Sequence, residues 1–525
     1  MKPISSDATG RTPATFSLNA LIEENPSGEG TKLNLREKTI SGFKWSIFSQ
    51  LVSQGFAFVT SLVIARILEP EYYGLVGMTT VFSGFAALFA ELGLGPAIIQ
   101  RKDLDIQHLN VAFWLNVVMG AMLTICFLVA APLLGRFYNE PALTPISRVI
   151  GLRFVLSSLN VVQLALLARS MRFRKLSVID IASNVISGLV GICLALMCAG
   201  VWALVWAPLS AVVVTLVLSW RVAEWIPRFS FEWRACKDLF GFSGYMMGFN
   251  IINYWARNLD KLLLGRYIGP SSLGIYTRSY SLMLMPLTQV SSVLGKVMFP
   301  ALSAIQHDKL RVKRVYLKSI GAIALFTFPM MIGLFIVSES FVATTLGAKW
   351  AGVVPLLKIF CGIGLLQSVT TTVGWIPTTQ GRTDIFFKVG LANAIVSALS
   401  FVVGLHWGAV GVAVAYAIGN IILLYPTWSI CGRAAHITFL DMLGSLWTIL
   451  GCSLLMGAGM WLIKDILSSA FPHWATLLLL TTIGTGLYWL LLEICQLQAW
   501  KFMKQMLSES LAMMFKGRNT RVETC

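Results

Sequence analysis

The chain has 525 residues, 56% of them hydrophobic and only 12% charged, with a formal net charge of +17 at pH 7 and a mean hydropathy of +0.74. Length alone suits about three or four soluble domains, but so apolar a composition excludes them and points to a polytopic membrane protein. The positive charge does not signal nucleic acid, because Lys and Arg cluster in short connections between apolar runs. Nine cysteines occur without a CxxC pair, which speaks against a disulfide framework or a metal site.

Residues 1–37 are rich in Ser, Thr, Gly, Pro and Glu and hold no apolar run. They read as a disordered cytoplasmic tail and not as a signal peptide. Apolar stretches of about twenty residues, enough at 1.5 Å per residue to cross a ~30 Å hydrocarbon layer, then begin near residues 40, 74, 109, 142, 176, 201, 239, 273, 316, 351, 385, 408, 440 and 474. The pattern predicts an all-α polytopic membrane protein with about 14 transmembrane helices. Helices 1–6 form an N-lobe over 38–221, a cytoplasmic linker covers 222–238, and helices 7–12 form a C-lobe over 239–432. Helices 13 and 14 occupy 433–498, and 499–525 is a basic cytoplasmic tail.

Orientation follows from charge. The even-numbered connections hold eighteen Lys and Arg, whereas the odd ones hold five, namely Arg66, Arg136, Arg266, Lys349 and Lys464. Positive residues stay inside, so both termini are expected in the cytoplasm. An internal repeat sets the architecture: residues 42–100 laid against 242–300 pair Leu62 with Leu262, Arg66 with Arg266, Pro70 with Pro270 and Gly74 with Gly274. R-x3-P-x3-G thus recurs at the same end of spans one and seven, where Pro and Gly suit a tight external turn. Asn184, Ser187 and Gly200 are echoed by Asn393, Ser397 and Gly408. The expected fold is therefore two six-helix bundles related by a pseudo-twofold axis along the membrane normal, with two C-terminal helices appended for packing.

The seventh span is unlike the others. It carries Asn250, Asn253, Tyr254, Arg257, Asp260 and Lys261, which at 100° per residue share a stripe about a third of the helix circumference wide. Charges at depth cost at least ~2.5–3.5 kcal/mol each, so such a stripe faces protein or a watery cavity. An Arg257–Asp260 pair, three residues apart, is the purely structural alternative. In the fourth span Arg153 lies ~16 Å from the outer end, on a face with Ser157 and Asn160. Arg278 and Lys358 sit within about two turns of the outer edge and are expected to snorkel. The excess of deep cations suits an anion, and arginine binds phosphate bidentately. The candidate substrate-binding residues are Arg153, Asn250, Asn253, Tyr254, Arg257, Asp260 and Lys261. No P-loop, HExxH or G-x-S-x-G occurs, no cofactor is implied, and the short outward loops argue against an enzyme.

Leu35-Arg36-Glu37-Lys38-Thr39-Ile40-Ser41-Gly42 with Lys44-Trp45-Ser46, Ala65-Arg66-Ile67-Leu68 with Gly74, and Gly93-Leu94 with Ala97-Ile98-Ile99-Gln100-Arg101 together carry a family resemblance. So do Arg257-Asn258-Leu259-Asp260, Gly274 with Tyr276, Phe299-Pro300-Ala301-Leu302, and Gly347-Ala348-Lys349-Trp350 before Pro355-Leu356-Leu357. From about Leu35 to the twelfth span the chain resembles polysaccharide transporters of the multidrug/oligosaccharidyl-lipid/polysaccharide (MOP) exporter superfamily, in particular the colanic acid exporter group. The resemblance implies two lobes around a central cavity and flipping of an undecaprenyl-pyrophosphate-linked glycan across the bacterial inner membrane. It also implies membrane lipids as surroundings and polysaccharide polymerase and chain-length machinery as neighbours. The cation-binding residues of drug-exporting relatives do not carry over, since the first span has no Asp or Glu. The alternatives are an integral-membrane polymerase or ligase and an ion-coupled drug antiporter.

Overall fold

The computed structural model describes residues 50, 52–90, 95, 98–99, 105–223, 225–229, 244–495 and 500, without the side chains of 244–250, 292–293 and 296–297. The expected tail over 1–37, and all but Trp500 of the basic tail, lie outside the described residues. Among the described residues the regular structure is entirely helical. In chain order the N-terminal half runs α1 (Val52–Ile67), α2 (Pro70–Ala90), α3 (Ile106–Tyr138), α4 (Leu143–Ser158), α5 (Val161–Arg169), α6 (Phe173–Leu196) and α7 (Val201–Val222). The C-terminal half follows with α8 (Gly244–Tyr267), α9 (Pro270–Ala304), α10 (Lys309–Thr345), α11 (Val353–Val373), α12 (Trp375–Thr379), α13 (Thr383–Gly404) and α14 (Gly408–Gly432). Two further helices, α15 (Phe439–Ala470) and α16 (His473–Cys495), close the chain.

Local chemistry sets these boundaries. Pro270 opens α9 at a position whose N–H has no intrahelical partner in any case. Asp308 caps α10 by accepting the Arg311 N–H at 2.9 Å, and Thr438 and Asp441 form a reciprocal capping box on α15. The fourth span bends by 43° between α4 and α5. The Leu159 carbonyl freed at the break accepts the Trp220 indole N–H at 3.1 Å, and Asn160 accepts Ser219 Oγ at 3.1 Å. α7 thus satisfies the polar groups that the bend exposes. Gly200 and Gly408, the echoed glycines, both take left-handed φ, at +58° and +72°, where any side chain would be strained.

This is a multi-pass membrane protein. Among the described residues nine helical segments are long and apolar enough to cross a membrane, or ten if the bent pair α4–α5 counts as one. The expected fourteen is not reached on that measure, for physical reasons. The described part of α1 is short, α8 and α9 are diluted by polar residues, and one of the nine segments, Thr383–Ala435, contains two helices folded back on each other at Leu405–Trp407.

Helices pack within each half as neighbours, α3 on α4, α6 on α7, α10 on α11 and α13 on α14. Across the halves α2 packs along α9 and against α8. The main buried apolar cluster crosses that boundary, joining Leu75, Met78 and Tyr138 to Leu264, Leu273, Tyr276 and Phe360. α15 is fastened to α10 at both ends, by Lys313 to Asp441 at 2.5 Å and Lys464 to Glu339 at 2.7 Å. The Lys358 ammonium, partly exposed, reaches the same Glu339 at 2.6 Å.

Candidate functional site

Helix α8 holds most of the candidate residues, and the structure distributes them over three environments. Arg257 and Asn253 are exposed. Among the described residues Arg257 makes no hydrogen bond or ion pair. Lys261 is half-buried and donates to Asn258 Oδ1 at 2.9 Å. Asp260 turns inward and is only 5% exposed. Its carboxylate accepts the Tyr276 hydroxyl at 3.0 Å and the Lys261 backbone N–H at 2.8 Å. The Arg257–Asp260 pair is therefore not formed. The cation stays available, while the carboxylate is held by the donors that a buried acceptor requires.

Tyr254 joins the lobes. Its hydroxyl donates to the Val81 carbonyl on α2 at 2.6 Å, over Gly84, where a Cβ would stand 3.2 Å from the tyrosine Cζ. Phe85 packs beside it, 5.1 Å from the Trp255 ring. The side chain of Asn250 lies outside the described ones. Arg153 is exposed on α4, and among the described residues it makes no hydrogen bond or ion pair. The described contacts do not bring it to the α8 stripe.

One residue departs from its sequence reading, and one further feature went unread in the sequence. Arg278 does not snorkel; it is buried, donating to Ser61 Oγ at 2.7 Å and the Ser61 carbonyl at 3.2 Å on α1. Tyr276 and Tyr280, four apart and so on one face of α9, carry hydroxyls toward the buried polar side of α8, and Gln367 meets Tyr416 there at 2.8 Å. That i, i+4 tyrosine pair was the available signal. Arg278 had none, since its partner is 217 residues away in the chain.

A cavity of about 730 Å³ lies between α9 and α10 on one side and α15 and α16 on the other. Pro286, Met330, Met460, Tyr488 and Trp489 are among its lining, and Phe58 of α1 stands at its edge. Phe326, Met330 and Trp489 are exposed, so the cavity is a groove open at the molecular surface. Its walls are almost entirely apolar, which suits a hydrocarbon chain. α15 and α16, expected only to pack, thus build one side of a binding-sized groove.

The sequence profile for polysaccharide biosynthesis proteins matches residues 63–355, more than half of the chain. The chain belongs to that family. It is 28% identical over 397 residues to the lipopolysaccharide biosynthesis protein WzxC of Escherichia coli K12, covering 74% of this chain and 80% of that protein. The fold is that of MOP superfamily transporters. The lipid II flippase MurJ in an inward closed conformation matches with a TM-score of 0.68 at 14% identity, over 87% of this chain and 98% of its own. An inward-facing MATE transporter of the same superfamily matches at 0.59 and 16% identity, over 74% of this chain and 98% of its own. The helical membrane fold expected from the sequence therefore holds, and the family match agrees with the resemblance carried by the motifs.

Proposed function

We propose that this member of the polysaccharide biosynthesis protein family flips undecaprenyl-pyrophosphate-linked oligosaccharide across the bacterial inner membrane by alternating access, with both termini in the cytoplasm. The observation that carries the reading is Arg257, an arginine in a membrane-crossing half-protein that is exposed and without a counter-ion among the described residues. A guanidinium so placed is stabilised by an anion, and two oxygens of a pyrophosphate accept bidentately from its planar fork. The groove beside α15 and α16 fits the other half of such a molecule, its polyprenyl tail, and similarity to WzxC and to the MurJ fold supports the class.

In this mechanism the pyrophosphate sits on Arg257 and Lys261, with Asn253 and Tyr254 beside it and Arg153 contributing from the other lobe. Asp260 positions α8 through Tyr276 and does not touch cargo. The tail stays in the apolar groove, so only the polar head crosses between the lobes. No bond is made or broken, and the product passes unchanged to a polymerase and its chain-length machinery on the far side.

The test is reconstitution. Liposomes holding the full chain should move an undecaprenyl-pyrophosphate-linked glycan between leaflets, and Arg257→Ala should lower the rate by about tenfold or more at equal incorporation, as loss of a desolvated charge-assisted bond would. Unchanged flipping by Arg257→Ala would remove the site. Efflux of cationic dyes in place of the glycan would make the protein a drug antiporter, and glycan transfer by the purified chain would make it an enzyme.

A further inference from the structure

R-x3-P-x3-G was read as turn chemistry, and the structure gives it a different use. Gly74 and Gly274 lie inside α2 and α9, and neither is among the glycines with positive φ. The turn before α9 is made by Gly269, at φ +106°. Backbone conformation therefore does not require glycine at 74 or 274; space does. A Cβ on Gly74 would strike the Pro270 carbonyl and stand 2.8 Å from Pro270 Cα, and a Cβ on Gly274 would strike the Pro70 carbonyl and stand 3.1 Å from the Gly74 nitrogen. Each glycine seats the proline of the other lobe.

The arginines of the motif repeat the exchange. Arg66, at the end of α1, donates to the Thr344 carbonyl at the end of α10 in the opposite lobe. Arg266, at the end of α8, lies 3.0 Å from the Asn139 side-chain oxygen in its satisfied orientation, at the C-cap of α3, and 5.7 Å over the Phe137 ring. In the repeat α3 and α10 are the third helices of their lobes. The contact is thus isologous in plan, as across a twofold dimer interface: Gly74 meets Pro270 as Gly274 meets Pro70, and each arginine reaches the far end of the third helix of the other lobe. Such a contact sits on the pseudo-axis and must part when the lobes separate on this side. Being backbone against backbone, it is either seated or broken, the behaviour of a bistable element.

We propose that the duplicated R-x3-P-x3-G motif is a two-sided latch that closes the space between the lobes on the outward face, with Gly74 and Gly274 as its seats and Arg66 and Arg266 as its straps. The word outward rests on the orientation given under Proposed function. The latch itself does not.

Asn253→Cys, on the exposed side of α8, serves as the probe in the full-length chain. Its labelling by a membrane-impermeant maleimide is read from either membrane face as the increment over the chain without the added cysteine. The parent should label from the cytoplasmic face and stay protected outside. Gly74→Val with Gly274→Val should raise outside labelling about tenfold, and Arg66→Ala with Arg266→Ala, which adds no bulk, about threefold, as a shifted two-state population would. Valine variants that fail to accumulate leave Gly74→Ala, one methyl into the Pro270 carbonyl, to carry the same readout. Unchanged labelling at parental protein levels overturns the latch. Parental labelling from the outer face alone, moved by the variants to the inner one, overturns the orientation and leaves the latch standing.

Discussion

At the scale of single residues, the stripe on α8 divides into a charge that is free and a charge that is spent. Asp260 is already engaged by Tyr276 and by backbone, so its removal should be felt in stability before transport. Asp260→Ala is expected to leave the Tyr276 hydroxyl unsatisfied, costing about 1–3 kcal/mol and lowering the melting temperature in detergent. Asp260→Asn, which keeps an acceptor, should recover most of that loss. Equal melting of Asp260→Ala and the parent would show that the buried bond does not matter. Periodicity alone placed all six polar residues of α8 on one side. It could not say that the narrow stripe straddles a boundary, with Arg257 outside and Asp260 inside, because Tyr276 comes from the next helix. Arg278 was misread for the same reason: its depth along α9 suggested an escape to the interface, whereas α1 covers it and offers Ser61.

At the scale of elements, α15 and α16 matter more than their plain sequences suggest. The two ties from α15 to α10, one at each end, make α15 travel with the C-lobe, and with it one wall of the groove. Filling that groove should slow transport of long polyprenyl carriers more than short ones. Thr485→Trp, which projects a ring into the space between α16 and α9, is expected to lower flipping of an undecaprenyl-linked glycan by about tenfold and that of a short-chain analogue by no more than about twofold. Equal effects on both chain lengths would detach the groove from the tail. No sequence signal marked the groove, since an apolar residue facing lipid, a neighbouring helix or a cavity looks the same in a run of hydrophobic letters.

At the scale of the whole molecule, hydropathy and charge asymmetry made the fold class legible, and the repeat made the two lobes legible. The echoes Gly200 with Gly408 and Gly74 with Gly274 occupy matching structural places. The polar stripe is why α8 escapes a composition test, although its apolar stretch and its place in the repeat both mark it in the sequence. The orientation yields its own expectation: alkaline phosphatase fused after Ala348 should be active and after His307 inactive, with cytoplasmic reporters giving the reverse. Activity at His307 would invert the assignment.

The buried cluster that joins Leu75 and Met78 to Leu273 and Tyr276 has a thermal consequence. A transporter that parts these helices must wet, or cover with lipid or cargo, the apolar faces that now hold each other dry. Where the parted faces line a watery opening, exposure of apolar surface raises heat capacity, and the balance between closed and open forms then curves with temperature instead of following a straight van't Hoff line. Because the hydrophobic contribution weakens on cooling, cold should loosen this closure, and warmth within the physiological range should tighten it.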